Sequence, residues 1–165
     1  MTFSESELAS IESACKLLCP SWPFTDIEVE QYLAGGYRNR NYRLRYNGKS
    51  YVVRIAAPGG ETDFAHEQVL LRALADVFPR TNAGLTLSVA PVVASCTSEG
   101  LLLSRWMSAP LLASCRGITA ETLGTYLANL HSSLAALPNG VVATGDLRSS
   151  TVSYTHLTLP TTPYV

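Results

Sequence analysis

With 165 residues, 47% of them hydrophobic and 15% charged, the chain holds enough apolar material for one ordinary core and is short for an enzyme of two lobes. A net charge of −1 supplies no general basic field, which argues against a nucleic acid partner and makes any cationic function local. The first seven residues carry Glu5 and Glu7 where a secretory leader carries Lys or Arg. No apolar run approaches the ~18 residues of a membrane span, so the reading is a cytoplasmic protein with no membrane partner.

The first helix is expected over Glu5 to Leu18, because Leu8, Ile11, Cys15 and Leu18 recur at three- and four-residue spacing. Ser4 with Glu7 matches a capping box, and Pro20 and Pro23 close the segment. Cys15 and Cys19 sit four apart on this helix, Cys96 and Cys115 are remote, and no nearby His completes a zinc set. Free, buried thiols are the expectation for them.

A strand from about Ile27 to Leu33 enters the turn around Gly35-Gly36, and a second from Asn41 to Tyr46 leaves it. Asn47-Gly48 is a two-residue hairpin signal, so Ser50 to Ala56 should return antiparallel to the second strand. The period of two then puts Val52 and Arg54 on one face and Tyr51, Val53 and Ile55 on the other. Two glycines between strands let backbone N–H groups approach phosphate oxygens, and a cation on the next strand adds positive charge at the same place. The pattern reads as a nucleotide-phosphate cradle, with Val52 toward the base and Arg54 toward phosphate.

Residues 57–62 form a loop, and Asp63 is the expected N-cap of a helix running to about Val77. Glu67 falls on that helix's apolar stripe of Phe64, Leu71, Leu74 and Phe78. An ionised carboxylate buried there costs several kcal/mol without a partner, and Arg54 is the candidate cation. Leu85 to Ala94 and Gly100 to Met107 read as two further strands. A helix from about Ala120 to Leu137 aligns Leu123, Leu127, Leu130, Leu134 and Leu137, with His131 expected as a packed structural histidine.

These residues resemble the aminoglycoside phosphotransferase and choline kinase family, a divergent branch of the protein-kinase fold. Gly35-Gly36-x-x-Asn39-x-Asn41-Tyr42 is similar to the loop of choline and thiamine kinase-like members. Tyr51-Val-Val-Arg54 resembles the strand bearing the phosphate-binding cation, a Lys paired to a helix Glu in protein kinases. Tyr37-Arg38 departs from the family's apolar residue followed by Ser or Thr, which removes a hydroxyl contact to phosphate. Leu101 to Met107 resembles the last sheet strand running into the hinge between lobes, which implies that backbone near Ser104, Arg105 and Trp106 meets adenine. Leu127-Ala-Asn-Leu-His131 is similar to the first large helix of the second lobe.

The resemblance implies an α+β fold: a kinase-like N-lobe with an antiparallel sheet of about five strands and a helix packed on it, followed by the start of a helical C-lobe. The organisation expected is an N-terminal helix over 1–24, a nucleotide-binding lobe with hinge over 25–108, and the beginning of a helical lobe over 109–150. The binding residues it implies are Gly35, Gly36, Tyr37, Asn39, Asn41, Val52, Arg54, Glu67, Ser104, Arg105 and Trp106. ATP and Mg2+ are the implied cofactors, and the implied partner is a small alcohol such as choline, ethanolamine, thiamine or an aminoglycoside.

Kinases of this fold also need a catalytic Asp, an Asn a few residues on and a second Asp for magnesium. No such set is evident here. Thr144-Gly-Asp-Leu147 has Thr where the family has His and no Asn at the expected offset, so Asp146 is not assigned as the base. The run Thr151 to Thr161 resembles a translated sequencing-library adapter, and 151–165 is set aside from fold reasoning on that ground. The expectation is therefore an ATP-binding fragment of a small-molecule kinase that lacks its catalytic loop. The alternative is a non-catalytic nucleotide- or protein-binding module built on the same sheet.

Overall fold

A computed structural model describes residues 3–34, 39–57, 64–77, 80–82, 85–108 and 119–135. Among them, 3–34, 39–57, 64–68 and 91–106 form one compact unit, and 69–77, 80–82, 85–90, 107–108 and 119–135 belong to a second. The fold is α+β, with the five-stranded antiparallel sheet of a kinase-like N-lobe.

The chain opens with helix α1 (Glu5–Leu18). Its capping box is complete: the Ser4 hydroxyl accepts from the Glu7 backbone N–H at 3.3 Å, and the Glu7 carboxylate accepts from the Ser4 N–H at 2.9 Å. A 3-10 turn at Phe24–Asp26 leads into strands β1 (Glu28–Leu33), β2 (Asn39–Tyr46) and β3 (Lys49–Ala56). Asn47 and Gly48 both take positive φ, 48° and 70°, the backbone that a two-residue hairpin of primed type needs. That turn pairs Tyr46 with Lys49 and fixes the whole register, so Arg43 faces Val52 and Asn41 faces Arg54.

Helix α2 (Phe64–Val77) follows, then the short hairpin of β4 (Arg80–Asn82) and β5 (Leu85–Leu87), then β6 (Val92–Cys96) and β7 (Leu101–Arg105). Sheet order is β1-β2-β3-β7-β6, and helix α3 (Ala120–Ala135) closes the described chain. The single strand expected from Leu85 to Ala94 is in fact two strands, β5 and β6, that belong to different sheets. Pro91 between them has no N–H to give a ladder, which breaks the run. Its carbonyl instead accepts from the Arg105 N–H at 2.9 Å.

One face of the five-stranded sheet carries the main core. Ile11, Cys15 and Leu18 of α1 lie in one cluster with Tyr42, Leu44, Tyr51, Val53, Ile55, Leu101 and Leu103, each buried side chain contributing about 1.5–3 kcal/mol. The i, i+3/i+4 spacing on α1 and the alternation on the strands meet here. Trp22 extends the cluster, stacked on Tyr46 with ring centroids 4.2 Å apart. Cys15 and Cys19 are buried free thiols as expected, Cys96 is only half-buried, and Cys115 lies outside the described residues.

In the second unit Leu70, Leu71 and Leu74 of α2 are buried. On α3, Leu127 is 46% exposed, and His131 is exposed rather than packed. The apolar spacing places a leucine on a stripe; it does not by itself supply the surface that covers it. Phe78, Leu137, Asp146 and residues 151–165 lie outside the described residues, as does the expected N-cap Asp63. No helix among the described residues is long and apolar enough to cross a membrane.

Candidate nucleotide site

The opposite face of the same sheet is chemically different. Pairing across β2, β3 and β7 arranges it in rows: Asn41–Arg54–Leu102, then Arg43–Val52–Ser104, then Arg45–Ser50 with Trp106 beside them. Asn41, Val52, Leu102 and Ser104 are buried, whereas Arg43, Ser50, Arg54 and Trp106 are half-buried and Arg45 is exposed, so this face is polar and partly open. The alternation that sends Tyr51, Val53 and Ile55 into the α1 core is what directs Val52 and Arg54 here.

Arg54 is ion-paired to Glu67 through Nη1 and Oε1, and their side chains are 20% and 23% exposed. The Phe64 ring, one turn earlier on α2, lies under the guanidinium with its centroid 5.1 Å from Cζ. A carboxylate and a ring therefore hold Arg54 from two directions, which suits a cation that must sit in one place. The acidic partner keeps its charge balanced when no anion is near.

A second constellation sits two residues along the strands. Glu30, whose side chain is 12% exposed, approaches Nε of Arg43 with Oε2 at 2.6 Å and accepts from Nε of Arg45 with Oε1 at 2.6 Å. The Ser50 hydroxyl lies between them, donating to Glu30 and accepting from Nη2 of Arg43, each at 3.4 Å. The Arg43 guanidinium stacks over Trp106, 4.8 Å from the ring centroid. Glu30 reaches both arginines because β1 bulges between Val29 and Gln31, which offsets it from the regular ladder.

Of the residues implied by the sequence, Asn39, Asn41, Val52, Arg54, Ser104 and Trp106 share this face, and Glu67 reaches it from α2. Gly35, Gly36 and Tyr37 lie outside the described residues. Arg105 is opposite Tyr51, so it belongs to the other face, and it is exposed. The N–H groups of Arg105 and Trp106 are spent within the sheet, on the carbonyls of Pro91 and Ser50 at 2.9 and 3.0 Å. Both donors therefore already have acceptors within the sheet.

The sequence pattern does not point to Arg43 or Glu30 as site residues, and it names Phe64 only as a member of the apolar stripe. The signal for Arg43 was present: a two-residue turn at Asn47-Gly48 fixes Arg43 opposite Val52 by counting back along the hairpin. Glu30 had no such signal, since its position depends on a bulge. Among the described residues no group of three His, Cys, Asp or Glu side chains could hold a metal ion. Residues 30–152 match the family model described as the phosphotransferase enzyme family, APH, and no curated relative matches the chain.

Proposed function

The chain belongs to the phosphotransferase enzyme family, and from that membership and the polar sheet face we propose that it binds ATP, with Arg54 neutralising the phosphates. The Arg54–Glu67 pair carries the proposal: a fixed, charge-balanced cation near the C-terminal end of β3, opposite Asn41. Val52, one row further along, gives the base an apolar surface. An incoming triphosphate exchanges water for a guanidinium already oriented by Glu67, so little ordering remains to be done on binding.

The parent activity proposed is transfer of the γ-phosphoryl of ATP to the hydroxyl of a small alcohol, of choline, ethanolamine, thiamine or aminoglycoside type. Magnesium would travel with the nucleotide, since the described side chains offer no group of three His, Cys, Asp or Glu to hold it. The sequence shows no Asp, Asn and second Asp at the offsets such transfer requires, so residues 1–165 are proposed to bind ATP without turning it over. A non-catalytic nucleotide-binding module makes the same binding prediction and differs only in what the longer protein does.

The test is ATP titration with and without Mg2+, beside an assay of phosphate transfer to a panel of such alcohols. Binding without transfer is expected. Turnover by these residues would show that the catalytic groups were overlooked, and a folded chain that ignores ATP would remove the nucleotide reading altogether.

A further inference from the structure

The Asn47-Gly48 turn carries chemistry as well as register. An asparagine followed by glycine is well set up to lose its own side-chain amide, because a glycine nitrogen with no neighbouring Cβ approaches the side-chain carbonyl carbon unhindered. Asn47 and Gly48 are both exposed, so water reaches them, and a Cβ on Gly48 would meet nothing within 4 Å. Packing does not shield this turn, which leaves its backbone conformation as the restraint.

Closing a five-membered ring needs the Gly48 nitrogen on the same side of the Asn47 Cα–C bond as Cβ. A primed two-residue turn holds ψ of its first residue at about 30°, which swings that nitrogen to nearly the opposite side from Cβ. The positive φ of both residues, 48° and 70°, identifies that turn here. Eight consecutive residue pairs, from Tyr46–Lys49 to Asn39–Ala56, keep it closed.

We propose that Asn47 is a spontaneous deamidation site that the hairpin keeps shut and that opens when β2 and β3 part. In the opened chain the Gly48 nitrogen attacks Cγ of Asn47: the N–Cγ bond forms, the Cγ–Nδ2 bond breaks, and the proton of that nitrogen leaves with Nδ2 as ammonia. Water then opens the cyclic imide at either carbonyl, giving aspartate or isoaspartate at position 47. Nothing is oxidised or reduced, and water is the one co-reactant.

The two products differ in what they do to the fold. Aspartate before glycine still suits a primed turn. Isoaspartate routes the main chain through Cβ and so adds a methylene to it, and the two-residue turn no longer matches the strands it joins. The pairing at stake is the one that sets Asn41 opposite Arg54 and Arg43 opposite Val52.

The test holds the full chain at one mildly alkaline pH and one temperature, in native buffer and in urea that unfolds it, and follows Asn47 by mass spectrometry of its peptide. Asn139-Gly140 is the other Asn-Gly of the sequence, and in the urea sample it gives the rate of the unrestrained dipeptide. Asn47 should convert as fast as Asn139 in urea. In native buffer it should convert at least roughly tenfold more slowly than in urea, the scale set by a hairpin that is closed most of the time. Gly48→Ala should slow conversion in urea, because its Cβ crowds the attacking nitrogen. Equal rates for Asn47 in native buffer and in urea would overturn the restraint. An Asn47 that survives in urea while Asn139 converts would overturn the site, and an unchanged rate in Gly48→Ala would overturn the cyclic route. Isoaspartyl chain returned from urea to native buffer should melt at a lower temperature than Asn47→Asp, and equal melting would overturn the loss of register.

Discussion

Arg54 on β3 and Glu67 on α2, thirteen residues apart in the chain, form an ion pair on the polar face of the sheet. Removing Glu67 takes its carboxylate away from a partly buried Arg54. Both side chains keep about a fifth of their exposure, so the cost falls between that of a surface pair and that of a fully buried one. Glu67→Ala is expected to lower unfolding free energy by about 1–2 kcal/mol in urea titrations. The double variant Arg54→Met with Glu67→Leu should recover part of that loss, because neither partly buried charge remains to be desolvated. A Glu67→Ala protein as stable as wild type would mean that the pair contributes nothing to stability.

Two glycines separate backbone strain from crowding. Gly48 has φ of 70° and open space where a Cβ would go, so Gly48→Ala meets only the left-handed penalty, about 1 kcal/mol. Gly100 has φ of 62°, and a Cβ there would lie 2.7 Å from the Cβ of Ala56. Gly100→Ala is therefore expected to cost about 2–4 kcal/mol, since a neighbouring strand must also shift. Thermal unfolding of the two variants side by side reads the difference; equal losses would remove the crowding argument.

At the start of α1 the Glu7 carboxyl is held below the usual carboxylate range, first by the Ser4 backbone N–H and then by the Ser4 hydroxyl. A depressed folded-state pKa gives stability that is present above the unfolded value and lost as pH falls through the folded one. Ser4→Ala should cost about 1 kcal/mol near neutrality, the usual scale for a lost N-cap. The gap between variant and wild type should shrink as the solution is acidified. Stability curves measured at several acidic pH values check this, and a constant gap would mean that the Ser4 hydroxyl, which donates to the Glu7 carboxylate at 2.8 Å, adds nothing to the shift.

Burial pushes the Cys15 thiol up to about 12 from an ordinary 9.0, with the neighbouring Cys19 adding to the effect. A raised folded value means that the unfolded chain gives up its proton first. The stability tied to this group is intact below about pH 9 and declines as pH rises toward about 12. Native Cys15 should also resist alkylation in mildly alkaline buffer and react once urea unfolds the chain. Rapid labelling of Cys15 in the folded protein would show that α1 does not stay packed on the sheet.

Much of this architecture was legible because short-range signals fixed long-range geometry. Ser4 with Glu7 set the beginning of α1, and Asn47-Gly48 set the register that brings Asn41, Arg54 and Leu102 into one row. A lone acid on an apolar stripe pointed to a buried cation, and Arg54 was the one the alternation supplied. Other features had no local signature. The bulge that aims Glu30 depends on how β1 settles against β2, and the division of Leu85 to Ala94 depends on which ladder each half joins. Burial on α3 failed to follow from spacing at Leu127 for a related reason: periodicity names a face, and packing requires a second surface.

Of the described side chains, Arg54 is the one on which the proposed ATP binding depends most directly. Calorimetric titration of ATP with Mg2+ into wild type and Arg54→Met, with folding of each checked by circular dichroism, measures that role. Wild type should bind, and the variant should bind about tenfold to a hundredfold more weakly, the scale of a lost charge-assisted hydrogen bond. A folded Arg54→Met protein with wild-type affinity for ATP would contradict the account.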